Sequence, residues 1–222
     1  MHTPSKRFIQ LRSPGDLFET IVIRRTPWVG AVVVCEGEFD ERVLKLVAER
    51  LDFMPNAPIA VTHAGGVDVV PRLAVALVAL LKLIRKTRKI AFIVDAEDRR
   101  PLERVAEILN EARRRGLRIG GVEPVRDCSN VYKSKVDDVE VYIAVSGLPG
   151  LAQFRKWQME DHALKLKILE GKLDPANLQD IEESKQVVTG EEALKELEEA
   201  SLEHVKESYN HIACLLSTLH TA

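Results

Sequence analysis

The run Val29-Gly30-Ala31-Val32-Val33-Val34-Cys35 leads straight into Glu36-Gly37-Glu38-Phe39-Asp40, and no other stretch constrains the fold as tightly. Consecutive β-branched valines in an unbroken apolar segment describe a strand buried on both faces, as in a parallel sheet. A carboxylate directly after such a strand stands at its carboxyl end, where open α/β sheets bind their ligands. Gly37 lets the backbone turn sharply there. Ile90-Ala91-Phe92-Ile93-Val94 repeats the pattern and also ends in acid, at Asp95-Ala96-Glu97-Asp98. Two strands of one parallel sheet would then present carboxylates at the same edge, a cluster that repels itself unless protons or a cation sit in it. The fitting occupant is Mg²⁺ or its close relative Mn²⁺, since hard cations prefer carboxylate oxygen.

The 34 acidic and 32 basic side chains give a formal net charge of -2 in 222 residues, so any polyanion contact has to rest on local clusters. Cys35, Cys128 and Cys214 lie far apart with no CxxC, which argues against a disulfide framework or a zinc ribbon and fits a reducing cytosol. Met1 to Pro14 lacks the apolar core of a signal peptide. The longest apolar run, Leu73 to Ile84, contains Lys82 and is too short to span a bilayer. A cytoplasmic protein without membrane contact is expected.

Residues 1–27 read as an N-terminal arm or edge strand, with Phe18 to Ile23 as the strand and Pro27 ending it. After the first long strand, Val43, Leu44, Val47, Ala48 and Leu51 recur at helical spacing from Asp40 onward. Ile59 to Thr62 is a short strand followed by His63-Ala64-Gly65-Gly66; Asp68 and Pro71 open a helix that ends near Thr87. Pro101 opens another, stopped by Gly116. Arg118 to Val122 and Val139 to Val145 are further strand candidates. Strand and helix alternate up to about residue 150, which predicts parallel strands joined by right-handed crossovers. Residues 151–222 then read as helical: Phe154 to Leu169, a short helix in Asn177 to Lys185, and a long one from Thr189. Leu202, Val205, Tyr209, Ile212, Leu216 and Leu219 are spaced like a helix–helix seam, so the region either packs back on the sheet or pairs with a second chain, and the seam predicts a homodimer through the C-terminal helix.

The acidic opening Glu36-Gly37-Glu38-Phe39-Asp40 resembles the E-G-x-x-D signature of Toprim domains, metal-binding α/β modules of topoisomerases, primases, OLD nucleases and recombination mediators. Asp95-Ala96-Glu97-Asp98 occupies the place of the family's D-x-D, and the strand ends at Thr62 to Gly66 and near Gly147 also fit. The resemblance covers residues 28–150 and implies a Rossmann-like sheet of about four parallel strands flanked by helices, with a helical C-terminal extension. It further implies that Glu36 is the general acid/base and that Asp95 with Glu97, or Asp98, holds Mg²⁺. Because the second acid of D-x-D is a glutamate followed by an aspartate, either side chain suits the second position.

Each of these residues also has a plainer reading. Glu38 and Asp40 favour a helix N-terminus electrostatically, Asp95 and Asp98 serve as loop and cap residues, and Gly65 and Gly66 simply make a turn. The functional reading gives Gly37, Asp40, Gly65 and Gly66 a place near phosphate and gives Arg99 and Arg100 phosphate contacts without sequence reading. His63, at a strand end on the same edge, reads as a surface loop histidine rather than a phosphate contact, and Glu160-Asp161 as first-turn acids rather than outer carboxylates. The resemblance implies Mg²⁺-dependent chemistry on nucleic-acid phosphodiesters, cleavage rather than polymerisation, and an acidic site suits it because phosphoryl transfer needs a cation to neutralise charge building on phosphate. A non-catalytic scaffold that holds nucleic acid, a nucleotide or a protein partner is the competing expectation.

Overall fold

The computed structural model describes residues 8–16, 19, 29–84 and 87–220. Seven strands form one sheet: β1 (Phe8–Gln10), β2 (Ala31–Cys35), β3 (Ile59–His63), β4 (Lys89–Asp95), β5 (Glu123–Pro124), β6 (Val131–Val136) and β7 (Val139–Ser146). Their spatial order is β1-β3-β2-β4-β7-β6-β5. The first five in that order run parallel, and β6 and β5 add antiparallel at one side. The helices are α1 (Glu38–Arg50), α2 (Val70–Ile84), α3 (Pro101–Arg114), α4 (Met159–Leu169), α5 (Gly190–Glu199), α6 (Leu202–Ser208) and α7 (Asn210–His220).

Alternation along each strand explains why the central strands are apolar throughout. Ala31, Val33, Cys35, Ala91 and Ile93 face a layer built from α1 and the C-terminal helices. Val32, Val34, Ile90, Phe92 and Val94 face the opposite layer, which includes α2 and α3. Both faces of β2 and β4 are therefore buried, as their sequences predict.

The expected sheet of four strands is too small. The strand β1 is too short for periodicity to announce it. In β6, Val-Tyr-Lys-Ser-Lys-Val mixes lysines into the run, which suits a strand near the sheet margin. Arg118 to Val122 is not a strand; pairing begins only at Glu123. The strand expected at Phe18 to Ile23 lies, apart from Glu19, outside the described residues.

The C-terminal region also differs from its expected form. The long helix from Thr189 breaks into α5, α6 and α7, and Ser201 caps α6 by accepting from the His204 amide (3.3 Å). The segment Asn177 to Lys185 holds the end of one 3₁₀ turn and the start of another, rather than a helix. Of the seam residues, Val205, Tyr209, Ile212, Leu216 and Leu219 are buried in the chain's own core, and only Leu202 is exposed. The 3-4 spacing thus records packing within the chain, on the same cluster as α1 and the sheet.

The cysteine reading needs correction as well. Cys128 and Cys214 form a disulfide across 86 residues of sequence, with Cα atoms 5.7 Å apart, while Cys35 is a buried free thiol. Spacing rules cannot see a pair brought together by the fold. Among the described residues no helix is long and apolar enough to cross a membrane.

A cross-link closing so long a loop removes roughly 3–5 kcal/mol of unfolded-state entropy. Reduction with dithiothreitol is expected to lower Tm by about 10 °C for a chain of this size, and Cys128→Ser is expected to show the lower Tm with or without reductant. A Tm unmoved by reductant would show that the bond does not form in solution.

Candidate metal centre

The register of the parallel strands brings the acids together. Cys35 of β2 pairs with Ile93 of β4, and Asp95 of β4 pairs with Ser146 of β7. One residue beyond its strand, Glu36 continues the ladder by donating its amide to the Ile93 carbonyl (2.8 Å). Its side chain then turns across the strand ends, where Oε2 accepts from the Asp95 amide (3.1 Å). Asp95 Oδ1 accepts from the Met159 amide at the start of α4 (2.9 Å), and its carbonyl accepts from Arg104 Nε of α3 (3.2 Å).

Glu97 reaches the same point by an unusual backbone. Its φ is +56°, a left-handed conformation that side chains other than glycine rarely adopt. Reciprocal hydrogen bonds with Trp157, at 3.0 and 2.8 Å, hold it there. The strand end at Gly147 makes room for that strap: its φ is +110°, and a Cβ there would lie 2.6 Å from the Trp157 Cβ. As a result Glu36, Asp95 and Glu97 each bring a carboxylate oxygen within 4.8 Å of the others.

The cluster is electrostatically unfavourable as it stands. Burial, then the charges of Asp40, Glu36 and Glu160, push the Asp95 carboxyl well above the usual range. Burial raises Glu36 too, against the opposing hydrogen bond from the Asp95 amide. Asp40, near the start of α1, accepts from the Gly37 amide (2.8 Å) and is pushed up to about 7, chiefly by burial and then by Glu36 and Glu160. Positive charge comes from outside the two strands: Lys156 Nζ lies 3.0 Å from Glu97 and Lys185 Nζ 3.6 Å from Glu160.

Of the residues singled out in the sequence, Glu36, Asp95 and Glu97 meet, and Asp40 stands beside them. Asp98 does not join; it is exposed and paired with Arg99 at 3.7 Å. The side chain of Arg100 is exposed, and its amide donates to Glu103 at the start of α3 (3.1 Å). The amides of Gly65 and Gly66 both donate to the Glu36 carbonyl (3.1 Å each), so they fix the strand end and are not free to cradle a phosphate.

Sequence reading did not find the Trp157 strap, Lys156, Lys185 or Arg104, because nothing local marks them. Glu160 had a weak signal as an acid in the first turn of a helix, and that turn lies beside the cluster. Its neighbours are structural. Asp161 accepts from the amides of Leu148 (3.0 Å) and Gln158 (3.1 Å). His162 accepts from the Gly147 amide at Nε2 (3.0 Å) and donates from Nδ1 to the Ser208 carbonyl (2.7 Å), and burial lowers its pKa to about 4.

These features define a mixed α/β protein whose mostly parallel sheet carries an acidic cluster at its carboxyl edge. No protein-family model matches the chain, and no curated protein matches it. A solved structure similar to it is the C-terminal region of the OLD protein of Xanthomonas campestris pv. campestris, with a TM-score of 0.41 and 16% identity over 87% of this chain and 98% of that one.

Crowded carboxylates cost stability, and two measurements read that cost. Asp95→Asn keeps an oxygen for the Met159 amide and removes a buried charge, so metal-free protein at about pH 8 is expected to gain about 3–6 °C in Tm while losing any rise on adding Mn²⁺. Asp40 reports through pH. Its folded carboxyl keeps a proton that the unfolded chain releases between about pH 4 and pH 7, so stability falls as pH rises through that window. In Asp40→Asn the fall in Tm between about pH 5 and about pH 8 is expected to be shallower than in the parent.

Proposed function

We propose that this chain is a Toprim-like protein that uses Mg²⁺ or Mn²⁺ to cut nucleic-acid phosphodiester bonds. The observation that carries the reading is the meeting of Glu36, Asp95 and Glu97, drawn from the ends of two adjacent parallel strands. Their chemistry suits a hard divalent cation: every donor is a carboxylate oxygen, and the neighbouring cations do not cancel the negative charge. Asp95 and Glu97 would hold the ion beside Glu36, and when bound it neutralises charge on the phosphate and the leaving oxygen.

The protein's own groups have separate tasks. Burial raises the Glu36 carboxyl above its usual range, the direction that suits a carboxyl group exchanging a proton at Oε2 or Oε1. Its carbonyl is held by Gly65 and Gly66, its amide by Ile93 and its Oε2 by the Asp95 amide, so the carboxyl is fixed at the strand ends. The exposed guanidinium groups of Arg99 and Arg100, directly after the acids, supply charge for the nucleic-acid backbone without reading sequence.

One observation favours the scaffold reading, in which the site holds nucleic acid, a nucleotide or a partner without cutting. Lys156 already neutralises Glu97, and a cation has to displace that ammonium group or share the carboxylate with it. The two readings part in one experiment, incubation of the chain with single- and double-stranded DNA and RNA in Mg²⁺ or Mn²⁺. The expected result is metal-dependent cleavage that falls at least about 100-fold in Glu36→Gln, with Mn²⁺ still raising Tm. Cleavage that survives the substitution unchanged would falsify the role of Glu36, and metal binding without cleavage of any substrate would favour the scaffold.

A further inference from the structure

The sheet edge that carries the acids also carries an oriented histidine. Strand β3 ends at His63, whose register partner is Cys35, the residue before Glu36. The next three residues bind the same strand end, Ala64 to the Cys35 carbonyl (2.8 Å) and Gly65 and Gly66 to that of Glu36. The His63 backbone therefore stands about one strand spacing, ~4.8 Å, from that of Cys35, the residue that leads into Glu36. The imidazole Nδ1 lies 3.2 Å from Glu41 Oε2, while Glu41 Oε1 accepts from Lys45 Nζ (2.8 Å).

That pairing fixes how the ring can act. Although burial opposes it, hydrogen bonds from Lys45, His63 and Gln10 keep the Glu41 carboxyl below its usual range, so it is an acceptor only. Nδ1 must then carry the hydrogen, and Nε2 has no hydrogen-bond partner among the described residues. The His63 side chain is 35% exposed. Beside it the loop is bare, since no atom lies within 4 Å of where a Cβ on Gly65 or Gly66 would stand. Arg72, in the first turn of α2 just past that loop, is exposed and adds positive charge.

The fold itself has no need of this arrangement. Glu41 is only 5% exposed, and a buried ion pair replaced by apolar side chains is often neutral or stabilising. What the carboxylate does accomplish is to hold one exposed imidazole in one tautomer and direction. Consecutive residues of α1 divide the work: Asp40 belongs to the acidic cluster and Glu41 to the histidine.

We propose that His63, oriented by Glu41, is an anion subsite that takes the phosphate next to the one acted on at Glu36, Asp95 and Glu97. The proposal rests on the phosphodiester reading above. In its protonated form Nε2 donates to a phosphate oxygen, a charge-assisted bond. Because the group contacts a flanking phosphate, it tightens binding of the substrate and leaves the chemical step to the acids.

The test uses the full chain and two variants, His63→Ala and His63→Gln, each checked for unchanged Tm and for the Mn²⁺-induced rise in Tm. In metal-free protein with ¹⁵N-labelled histidine, the His63 Nε2 resonance is expected to move on adding inorganic phosphate, and to move at lower concentration with a short oligonucleotide than with a mononucleotide. In cleavage assays His63→Ala is expected to raise KM about 5–20-fold with kcat within about twofold, and His63→Gln to recover part of the loss. A resonance unmoved by any phosphate compound, or a KM unchanged in His63→Ala, overturns the subsite. Failure of the metal-nuclease reading shows separately, as a parent chain whose Tm does not respond to Mn²⁺ while the Nε2 resonance still reports phosphate.

Discussion

The hydrogen bond from the Asp95 amide to Glu36 Oε2 is the contact on which the site depends. It ties an acid from one strand to the backbone of its neighbour and so fixes two like charges in a region shielded from water. In solution such groups would separate; here the ladder between β2 and β4 does not let them. The Met159 amide takes the other carboxylate, so its position is set from α4 as well. Backbone donors stabilise the ionised form, yet burial and mutual repulsion outweigh them, and the carboxyls of Asp95, Glu36, Asp40 and Glu160 all rise. Proteins retain unfavourable charge of this kind at functional sites more often than elsewhere.

Much of this was legible in the chain because it is written in short-range pattern. Runs such as Val32-Val33-Val34 and Ile90-Ala91-Phe92-Ile93-Val94 can be little other than strands covered on both faces, and an acid after each lands at one edge once the strands are parallel. The helices from Glu38 and Pro101 carry apolar positions at helical spacing and begin where acids or proline permit. What pattern could not reveal depends on contacts between distant residues. The choice between Glu97 and Asp98 turns on the left-handed backbone at Glu97, which Trp157 holds from sixty residues away in sequence. Lys185 approaches the acids from a 3₁₀ turn that has no periodicity to detect.

Two local readings, the seam and the cysteine spacing, stop short for one reason. The heptad spacing from Leu202 to Leu219 is genuine, but spacing says only that one side of a helix is buried, not what buries it. Ser201 and the bend at Tyr209 divide that helix, and the pieces turn their apolar side onto α1 and the sheet. The distance between Cys128 and Cys214 in sequence likewise says nothing about their distance in space once α7 lies along β7 and β6. In each case a local rule was right about chemistry and silent about the partner.

The way α7 is seated has a consequence for anyone who would isolate the α/β portion by itself. Ile212, Leu215, Leu216 and Leu219 complete the same apolar layer as Ala31, Val33 and Cys35. A fragment ending near Gly150 would keep only α1 over that side of its central strands and present the uncovered aliphatic remainder to its neighbours in the tube. Such a fragment would precipitate or scavenge other chains, and the last third of the polypeptide behaves as one wall of the building, not as an annexe.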